Sequence, residues 1–396
     1  MLDAQEFYRF LISDAVKKFL KEAEKTDPNR LRLNPPKLIR PWKEELIEQL
    51  IARKKAKTKL PNWYVLENIF FPPPLSVEQS SSNLTAQYKA TLLQGQNLYD
   101  LTGGMGVDCM ALSKNFKQTH YVEKESSLCQ RFEINKDLLG FEHIQIHHQT
   151  TEDILNDLPP NAVLYIDPAR RAQNQNRIFR FADCSPNIVM LLPLIRHKAS
   201  LVLIKASPMI DLSQALQELS SAAEIHVVSV RNECKEVLFL IPKHPPMNSE
   251  IHCINLDTTQ PKFIGTLSTE KTIPDQLGPV QKILLDPNVS ILKAGLFKSI
   301  QPVYGLIKIA QHTHLYTTDR RVKNFPGRQF EVISEVTKKT LKQQLPQLKA
   351  NVITKNYPIS ASALQEKLGL SNGGEYFVIG LRDHQDKTKI LLTKAI

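Results

Sequence analysis

The sequence feature that most constrains the fold is a glycine-rich turn that follows an apolar strand. Residues 97–108 read NLYDLTGGMGVD, and a helix is predicted to begin at Cys109. Gly103, Gly104 and Gly106 can adopt positive φ and let the backbone approach a ligand, while the helix start offers free N–H groups to a carboxylate or phosphate. A nicotinamide dinucleotide site favours the spacing G-x-G-x-x-G. The third glycine is missing here, so that class of site is disfavoured.

Acidic residues follow the next two predicted strands at positions that suit a nucleoside ligand. Residues 119–124 predict a second strand with Glu123 near its end. An acidic residue about 20 positions after a glycine loop can accept hydrogen bonds from ribose hydroxyls. Residues 143–149 predict a third strand, and the carboxylates of Glu152 and Asp153 beyond it could reach an adenine amino group.

A polar cluster ends the fourth predicted strand, the apolar run at residues 163–167. Such a run is typical of a parallel strand buried on both faces. The cluster reads DPARR, residues 167–171. Because open α/β sheets bind ligands at the carboxyl ends of their strands, we expect this cluster to lie in the active site.

The loop with its acidic residues resembles the first motifs of class I S-adenosyl-L-methionine (AdoMet) methyltransferases, here Asp100-x-Thr102-x-Gly104-x-Gly106, with Thr102 where glycine is commoner. The resemblance implies an α/β fold with a seven-stranded, Rossmann-like sheet and AdoMet as cofactor. In that family the segment before the first strand also lines the cofactor pocket, although an exposed serine loop explains this segment nearly as well. The residues predicted to bind AdoMet are Gln79, Ser80, Asp100, Thr102, Gly103, Gly104, Gly106, Asp108, Glu123 and Asp153.

The DPAR sequence bears on the methyl acceptor. Enzymes that methylate exocyclic amino groups use an acidic or amide residue, two prolines and a ring that stacks on the flipped base. Here Ala169 replaces the second proline and Arg170 the ring, so stacking on the base would have to come from elsewhere, with an arginine guanidinium plane as one possibility. Asp167 is predicted to orient the acceptor nitrogen and Pro168 to fix the backbone after it. The alternative is that Asp167 caps a turn before proline, in which case the site would lie around residues 205–211.

The cluster also looks like that of RNA 5-methyluridine methyltransferases. Their mechanism needs a cysteine nucleophile after the fifth strand, where this chain has Ala206-Ser207-Pro208. Without a thiol there, covalent methylation of carbon is disfavoured.

Several further motifs resemble a group of bacterial class I AdoMet-dependent methyltransferases whose C-terminal part is a THUMP-like domain. They read DLTGGMGVD, DPARR, DCSPN, KASPMID and NECKE. The resemblance implies an RNA substrate, since THUMP domains are associated with RNA. The regions predicted are an N-terminal helical region with a linker (1–74), the methyltransferase domain (75–245), connecting strands (246–277) and a basic α+β THUMP-like domain (278–396).

The net charge of +11 is concentrated at the two ends of the chain. Residues 1–60 carry 15 Lys and Arg against 9 Asp and Glu, and residues 281–396 carry 18 against 8. Basic flanks on an acidic middle predict a polyanion partner, tRNA or rRNA, although a solubilising surface is the alternative. The run at residues 53–59 is either a helix end stabilised by its dipole or a phosphate contact. Four arginines near the DPARR cluster could likewise hold phosphate or pair internally: Arg170, Arg171, Arg177 and Arg180.

Other classes of protein are disfavoured. Five scattered cysteines without a C-x-x-C pair indicate neither disulfides nor a zinc site, so we expect no metal. No signal peptide or membrane-length apolar run is present, which predicts a cytoplasmic protein without membrane contact. The sequence leaves the oligomeric state open. The function predicted is methylation of an RNA base nitrogen; the alternatives are a non-catalytic RNA-binding protein with a vestigial AdoMet fold, or methylation of a protein or small molecule.

Overall fold

The computed structural model describes residues 4–170, 180–219, 222–246 and 248–396. The helices in those ranges are α1 (Ala4–Leu11), α2 (Asp14–Glu22), α3 (Pro28–Leu33), α4 (Lys43–Lys59), α5 (Pro61–Tyr64), α6 (Pro74–Gln79), α7 (Asn83–Ala90), α8 (Val107–Ser113), α9 (Ser126–Leu138), α10 (Thr151–Asp157), α11 (Ile188–Lys198), α12 (Leu212–Leu219), α13 (Leu267–Thr272), α14 (Val289–Ala294), α15 (Ile300–Tyr304), α16 (Lys338–Gln344) and α17 (Ala361–Leu368).

The strands in the same ranges are β1 (Gly95–Asp100), β2 (Phe116–Val122), β3 (Ile144–His147), β4 (Ala162–Ile166), β5 (Ala169–Arg170), β6 (Cys184–Ser185), β7 (Ala199–Ala206), β8 (Glu224–Val230), β9 (Glu233–Pro242), β10 (Glu250–Leu256), β11 (Phe263–Gly265), β12 (Ile283–Pro287), β13 (Ile307–Ala310), β14 (Thr313–Thr318), β15 (Gly327–Glu335), β16 (Asn351–Lys355), β17 (Tyr376–Arg382) and β18 (Thr388–Ala395).

The larger sheet confirms the predicted α/β class. Its seven predicted strands follow the order β3-β2-β1-β4-β7-β9-β8, and the sheet continues to β10 and β11. These last two strands lie in the region predicted to contain connecting strands, residues 246–277. Strands β1, β2, β3, β4 and β7 pair in parallel, so their carboxyl ends share one edge. Strand β4 is buried along its whole length, as its apolar run predicts.

The chain forms two compact units, whose bounds differ from the predicted regions. The first comprises Met1–Ala222 with Phe239–Pro245, and the second comprises Ala223–Leu238 with Pro246–Ile396. The division falls within β9, whereas the predicted boundary lies near residue 246. Such a division cannot be read from a continuous apolar strand.

Residues 61–74 differ from the linker predicted for them. Phe70 and Phe71 are almost completely buried. The Gln49 amide accepts a hydrogen bond from the N–H of Phe71 at 3.0 Å and donates one to its carbonyl at 2.6 Å. Asn135 makes the same pair of bonds with Phe70, both at 2.9 Å. Since buried backbone groups need partners, these two amides allow an irregular segment to enter the core.

The basic run at the end of α4 has hydrogen-bond or ion-pair partners within the first unit. Arg53 donates hydrogen bonds to the carbonyls of Tyr64 and Leu66. The interpretation of this run as a stabilised helix end therefore fits better than that of a phosphate contact. The lysine contacts are Lys54 with the Thr26 carbonyl at 2.7 Å, Lys57 with Glu24 at 2.8 Å, and Lys55 and Lys59 with Glu78.

The second unit contains a seven-stranded sheet in the order β13-β14-β12-β15-β18-β17-β16. Helix α16 begins at Lys338 because Thr337 caps it: the Thr337 hydroxyl accepts a hydrogen bond from the N–H of Thr340 at 3.3 Å. Within the described ranges, none of the helices combines the length and apolar character needed to cross a membrane.

Candidate active site

A cleft of about 920 Å³ lies at the carboxyl ends of β1, β2 and β4. Its volume is within the range of small-molecule sites. Asp100, Glu123 and Asp167 line it, each where one of these strands ends. The parallel sheet thus brings together acidic residues that are up to 67 positions apart in the chain.

The turn after β1 tolerates only glycine at two positions. A Cβ atom on Gly103 would lie 2.3 Å from the Tyr121 ring, and one on Gly106 would lie 2.1 Å from the Phe132 ring. These rings stack with their centroids 3.8 Å apart, so neither can retreat without disturbing the other. Gly106 also has a φ of +84°, in the left-handed region. The two rings therefore pack directly against the backbone of the turn, which lines the cleft.

Glu123 is fixed to this turn. Its carboxylate accepts hydrogen bonds from the N–H groups of Gly104 and Glu125, both at 2.9 Å. The Tyr121 hydroxyl donates to the Gly104 carbonyl at 2.6 Å. Because a carboxylate has about four acceptor sites, Glu123 keeps capacity for two hydroxyl donors from the cleft.

Asp100 has a different environment. It is 1% exposed, and it accepts a hydrogen bond from the N–H of Thr102 at 3.1 Å. Burial raises the pKa of the Asp100 carboxyl well above its ordinary value. The hydrogen bond from Thr102 opposes this rise, whereas the negative charges of Asp108, Asp167 and Glu123 add to it. Asp100 therefore has a structural role in the turn, through its hydrogen bond with Thr102, in addition to its position in the lining of the cleft.

Asp108 is the centre of a buried network that the sequence analysis missed. Its carboxylate accepts hydrogen bonds from Ser81 at 2.7 Å and Tyr165 at 2.6 Å, and the completely buried Lys89 ammonium lies 3.2 Å from its other oxygen. Burial alone would raise the pKa of Asp108, but Lys89, Lys205 and the two hydroxyl donors outweigh it and the pKa is lowered. The network ties the segment before β1 to α8 and β4 around the cleft. A lysine in an amphipathic helix gives no local signal of this role.

Asp167 lies beside residues of the alternative site. The Lys205 ammonium pairs with Oδ2 of Asp167, and the N–H of Asp167 donates to the Thr102 hydroxyl at 2.7 Å. The Asp167 side chain is 36% exposed, whereas that of Lys205 is 12% exposed. The DPAR cluster and the start of the KASPMID motif therefore belong to one site.

The cofactor residues predicted from the sequence lie together, with one exception. Among the described residues that line the cleft, Glu152 is present and Asp153 is not. The Asp153 carboxylate accepts a hydrogen bond from the Thr150 hydroxyl at 2.7 Å, at the start of α10. The predicted residues that line the cleft are Gln79, Ser80, Asp100, Thr102, Gly103, Gly104, Gly106, Asp108 and Glu123.

The predicted catalytic residues occupy different positions in the same region. Asp167 and Arg170 line the cleft, while Pro168 is buried behind it. Arg170 is held by the short β5–β6 pair, where it lies opposite Cys184. Of the other predicted phosphate-binding arginines, Arg180 is exposed. Arg171 and Arg177 lie outside the described residues.

The strand order, the glycine turn and the acidic strand ends define a class I AdoMet-dependent methyltransferase. A crystal structure described as a "putative methyltransferase" from Porphyromonas gingivalis W83 is 30% identical to this chain and superposes with a TM-score of 0.86. The match covers 100% of this chain and 99% of the other. The chain thus belongs to this family of methyltransferases with a C-terminal THUMP-like domain.

Two further comparisons agree. An uncharacterized S-adenosylmethionine-dependent methyltransferase from Mycobacterium tuberculosis is 26% identical over 341 residues, which is 83% of this chain and 89% of the relative. Residues 284–326 match a ferredoxin-like domain and residues 327–395 a THUMP-like domain. The family models divide the C-terminal region near residue 327, whereas the sequence analysis treated residues 278–396 as one domain.

Proposed function

We propose that this methyltransferase binds AdoMet in the cleft and methylates a nitrogen atom of an RNA base in tRNA or rRNA. When bound, AdoMet supplies an electrophilic methyl group on a sulfonium centre. The residues of the cleft fit such a ligand. The Thr102–Gly106 backbone would hold the amino-acid end, Glu123 would accept the ribose hydroxyls, and Glu152 is the carboxylate available for the adenine amino group.

Asp167 is the acceptor-orienting residue in this proposal. Its Oδ2 is paired with Lys205, which leaves Oδ1 to accept a hydrogen bond from an N–H of the base. As the nitrogen forms its bond to the methyl carbon it becomes positively charged, and the nearby carboxylate stabilises that charge before the proton is lost. Lys205 holds the carboxylate in one orientation, which favours the in-line geometry that methyl transfer requires.

The observation that carries the RNA assignment is a basic loop in the second unit, defined by Arg320, Arg321 and Lys323. All three side chains are exposed. Within the described part of the chain, none of them makes a hydrogen bond or ion pair. This contrasts with the run at the end of α4, whose charges have partners. Exposed, unneutralised cations are the groups that contact phosphates without reading sequence.

The salt dependence of RNA binding tests this assignment. Each phosphate contact contributes about 0.7–0.9 to the slope of log affinity against log salt. Arg320→Ala/Lys323→Ala should therefore reduce the slope by roughly 1.4–1.8. The matched control is Lys367→Ala/Lys387→Ala, which removes the same charge from exposed positions elsewhere in the unit. Equal slopes for both variants would argue against the basic loop as the RNA contact.

The acceptor is tested by incubating the protein with labelled AdoMet and separate RNA, DNA and protein fractions of a cell extract. Label should enter RNA and, after nuclease digestion, should co-elute with a base methylated at nitrogen. Label in protein or in DNA alone would contradict the proposed substrate. AdoMet binding without transfer to any fraction would favour the non-catalytic alternative.

A further inference from the structure

The tripeptide Glu-Ile-His occurs at the start of two neighbouring strands of the second unit, as residues 224–226 in β8 and 250–252 in β10. The strands pair in parallel with Glu224 opposite Glu250 and His226 opposite His252. Since side chains two residues apart point to the same face of a strand, two carboxylates and two imidazoles form one cluster.

The nitrogen and oxygen atoms of this cluster converge. Nε2 of His226 lies 3.0 Å from Oε2 of Glu224, and Nε2 of His252 lies 3.6 Å from the same oxygen. Nε2 of His252 also lies 3.3 Å from Oε2 of Glu250. The imidazole rings are stacked, with centroids 4.6 Å apart.

The 3.6 Å between His252 and Glu224 matches an edge of a tetrahedral zinc site, and the 3.0 Å between His226 and Glu224 is about 0.3 Å shorter than such an edge. Zinc bonds to imidazole nitrogen and carboxylate oxygen are about 2.0–2.2 Å long, which places the ligand atoms about 3.3–3.6 Å from one another. In addition, Nε2 of His252 is buried and has no hydrogen-bond partner among the described residues. Leaving a buried ring nitrogen unpaired is unfavourable, and a cation between Glu224, His226 and His252 would satisfy it.

The net charge of the cluster and its access to solvent also favour the binding of a cation. Two carboxylates outweigh the one lysine, Lys262, that acts electrostatically on His226. The side chains of Glu224 and Glu250 are 37% and 59% exposed, which leaves an entry path from solvent, while the imidazoles are mostly buried.

We propose that Glu224, His226 and His252 bind one zinc ion, with a water molecule completing the tetrahedron. Two imidazoles and one carboxylate are a ligand set that zinc accepts. The ion would fasten the amino-terminal ends of β8 and β10 to each other.

The experiment uses the full chain, purified with a tag that contains no histidine and freed of metal by chelation. Calorimetric titration with zinc chloride at pH 7.5 should show one equivalent bound. Cobalt(II) in its place should give the visible absorption of a tetrahedral centre. Glu224→Gln, which preserves side-chain size, and His252→Asn, which keeps a polar side chain, should each weaken zinc binding at least about tenfold. The control is His312→Asn, an exposed histidine of the same unit, which should bind like the unmodified protein.

Zinc should also raise the melting temperature of the unmodified protein and not that of Glu224→Gln/His252→Asn, because a ligand stabilises the state that binds it. Should His252→Asn fail to fold, Glu224→Gln alone decides the question. Absence of stoichiometric zinc, or binding that both variants retain in full, would overturn the proposal and leave a cluster of imidazole–carboxylate contacts. A loss in His312→Asn equal to that in His252→Asn would overturn it as well.

Discussion

Replacing Gly106 by alanine should lower the free energy of unfolding of the first unit by about 2–5 kcal/mol. This loss of stability has a conformational part and a steric part. The left-handed conformation at φ +84° costs a residue with a Cβ about 1–2 kcal/mol. The new methyl group would also lie 2.1 Å from a ring carbon of Phe132, which is 1% exposed and stacked on Tyr121. Overpacking of this kind typically costs about 1–3 kcal/mol.

Gly140→Ala separates these two contributions. Gly140 has a φ of +78°, close to that of Gly106, but a Cβ atom there would meet no other atom within 4 Å. This variant should therefore show only the conformational cost of about 1–2 kcal/mol. The difference between the two variants measures the steric conflict with Phe132.

Urea unfolding followed by tryptophan fluorescence provides the measurement. The two tryptophans of the chain, Trp42 and Trp63, are both buried in the first unit, so the signal reports on the unit that contains both glycines. Calorimetric titration should also show weaker AdoMet binding by Gly106→Ala and unchanged binding by Gly140→Ala. If both variants lose the same stability, the steric argument from the Phe132 ring is wrong.

Three further outcomes are expected. Asp167→Asn should lower turnover by about two powers of ten or more while AdoMet affinity stays nearly constant; loss of stability with full activity in the folded fraction would mark a structural residue. Lys89→Met should lower the free energy of unfolding by about 3–5 kcal/mol, because it leaves Asp108 buried without its cation. Lys89→Met/Asp108→Asn should recover part of this stability. Equal urea midpoints for the single and double variants would contradict the pairing. Burial, with a smaller contribution from His147, lowers the pKa of His120 to about 4, whereas an unfolded histidine titrates near 6.5. The contribution of neutral His120 to the free energy of unfolding is therefore complete above about pH 6.5 and is lost as the pH falls towards 4. His120→Gln should make the free energy of unfolding, followed by tryptophan fluorescence, fall less steeply over this pH range. An unchanged pH profile would exclude His120 as the source of the loss of stability.

Local patterns predicted much of the C-terminal region. The sequence pattern predicts a helix from residue 360 and a strand from residue 350. Helix α17 and strand β16 begin within a residue of these positions, because Ser360 caps the helix and an apolar run marks the strand. In contrast, no elements were predicted for β12 to β14. These strands pair with one another and with β15, and their apolar residues become informative only once those partners are known.

The sequence by itself determined the class of fold and the floor of the site. A glycine turn after an apolar strand, and acids after the next strands, are short-range patterns whose consequences follow from backbone sterics and parallel pairing. Which side chains face one another was decided only by the tertiary structure. Lys89 and Asp108 are 19 positions apart, Asp167 and Lys205 are 38 apart, and the two Glu-Ile-His tripeptides are 26 apart. Each pair depends on helices and strands packing in one arrangement, and burial then converts an ordinary charge or imidazole into a group that must have a partner.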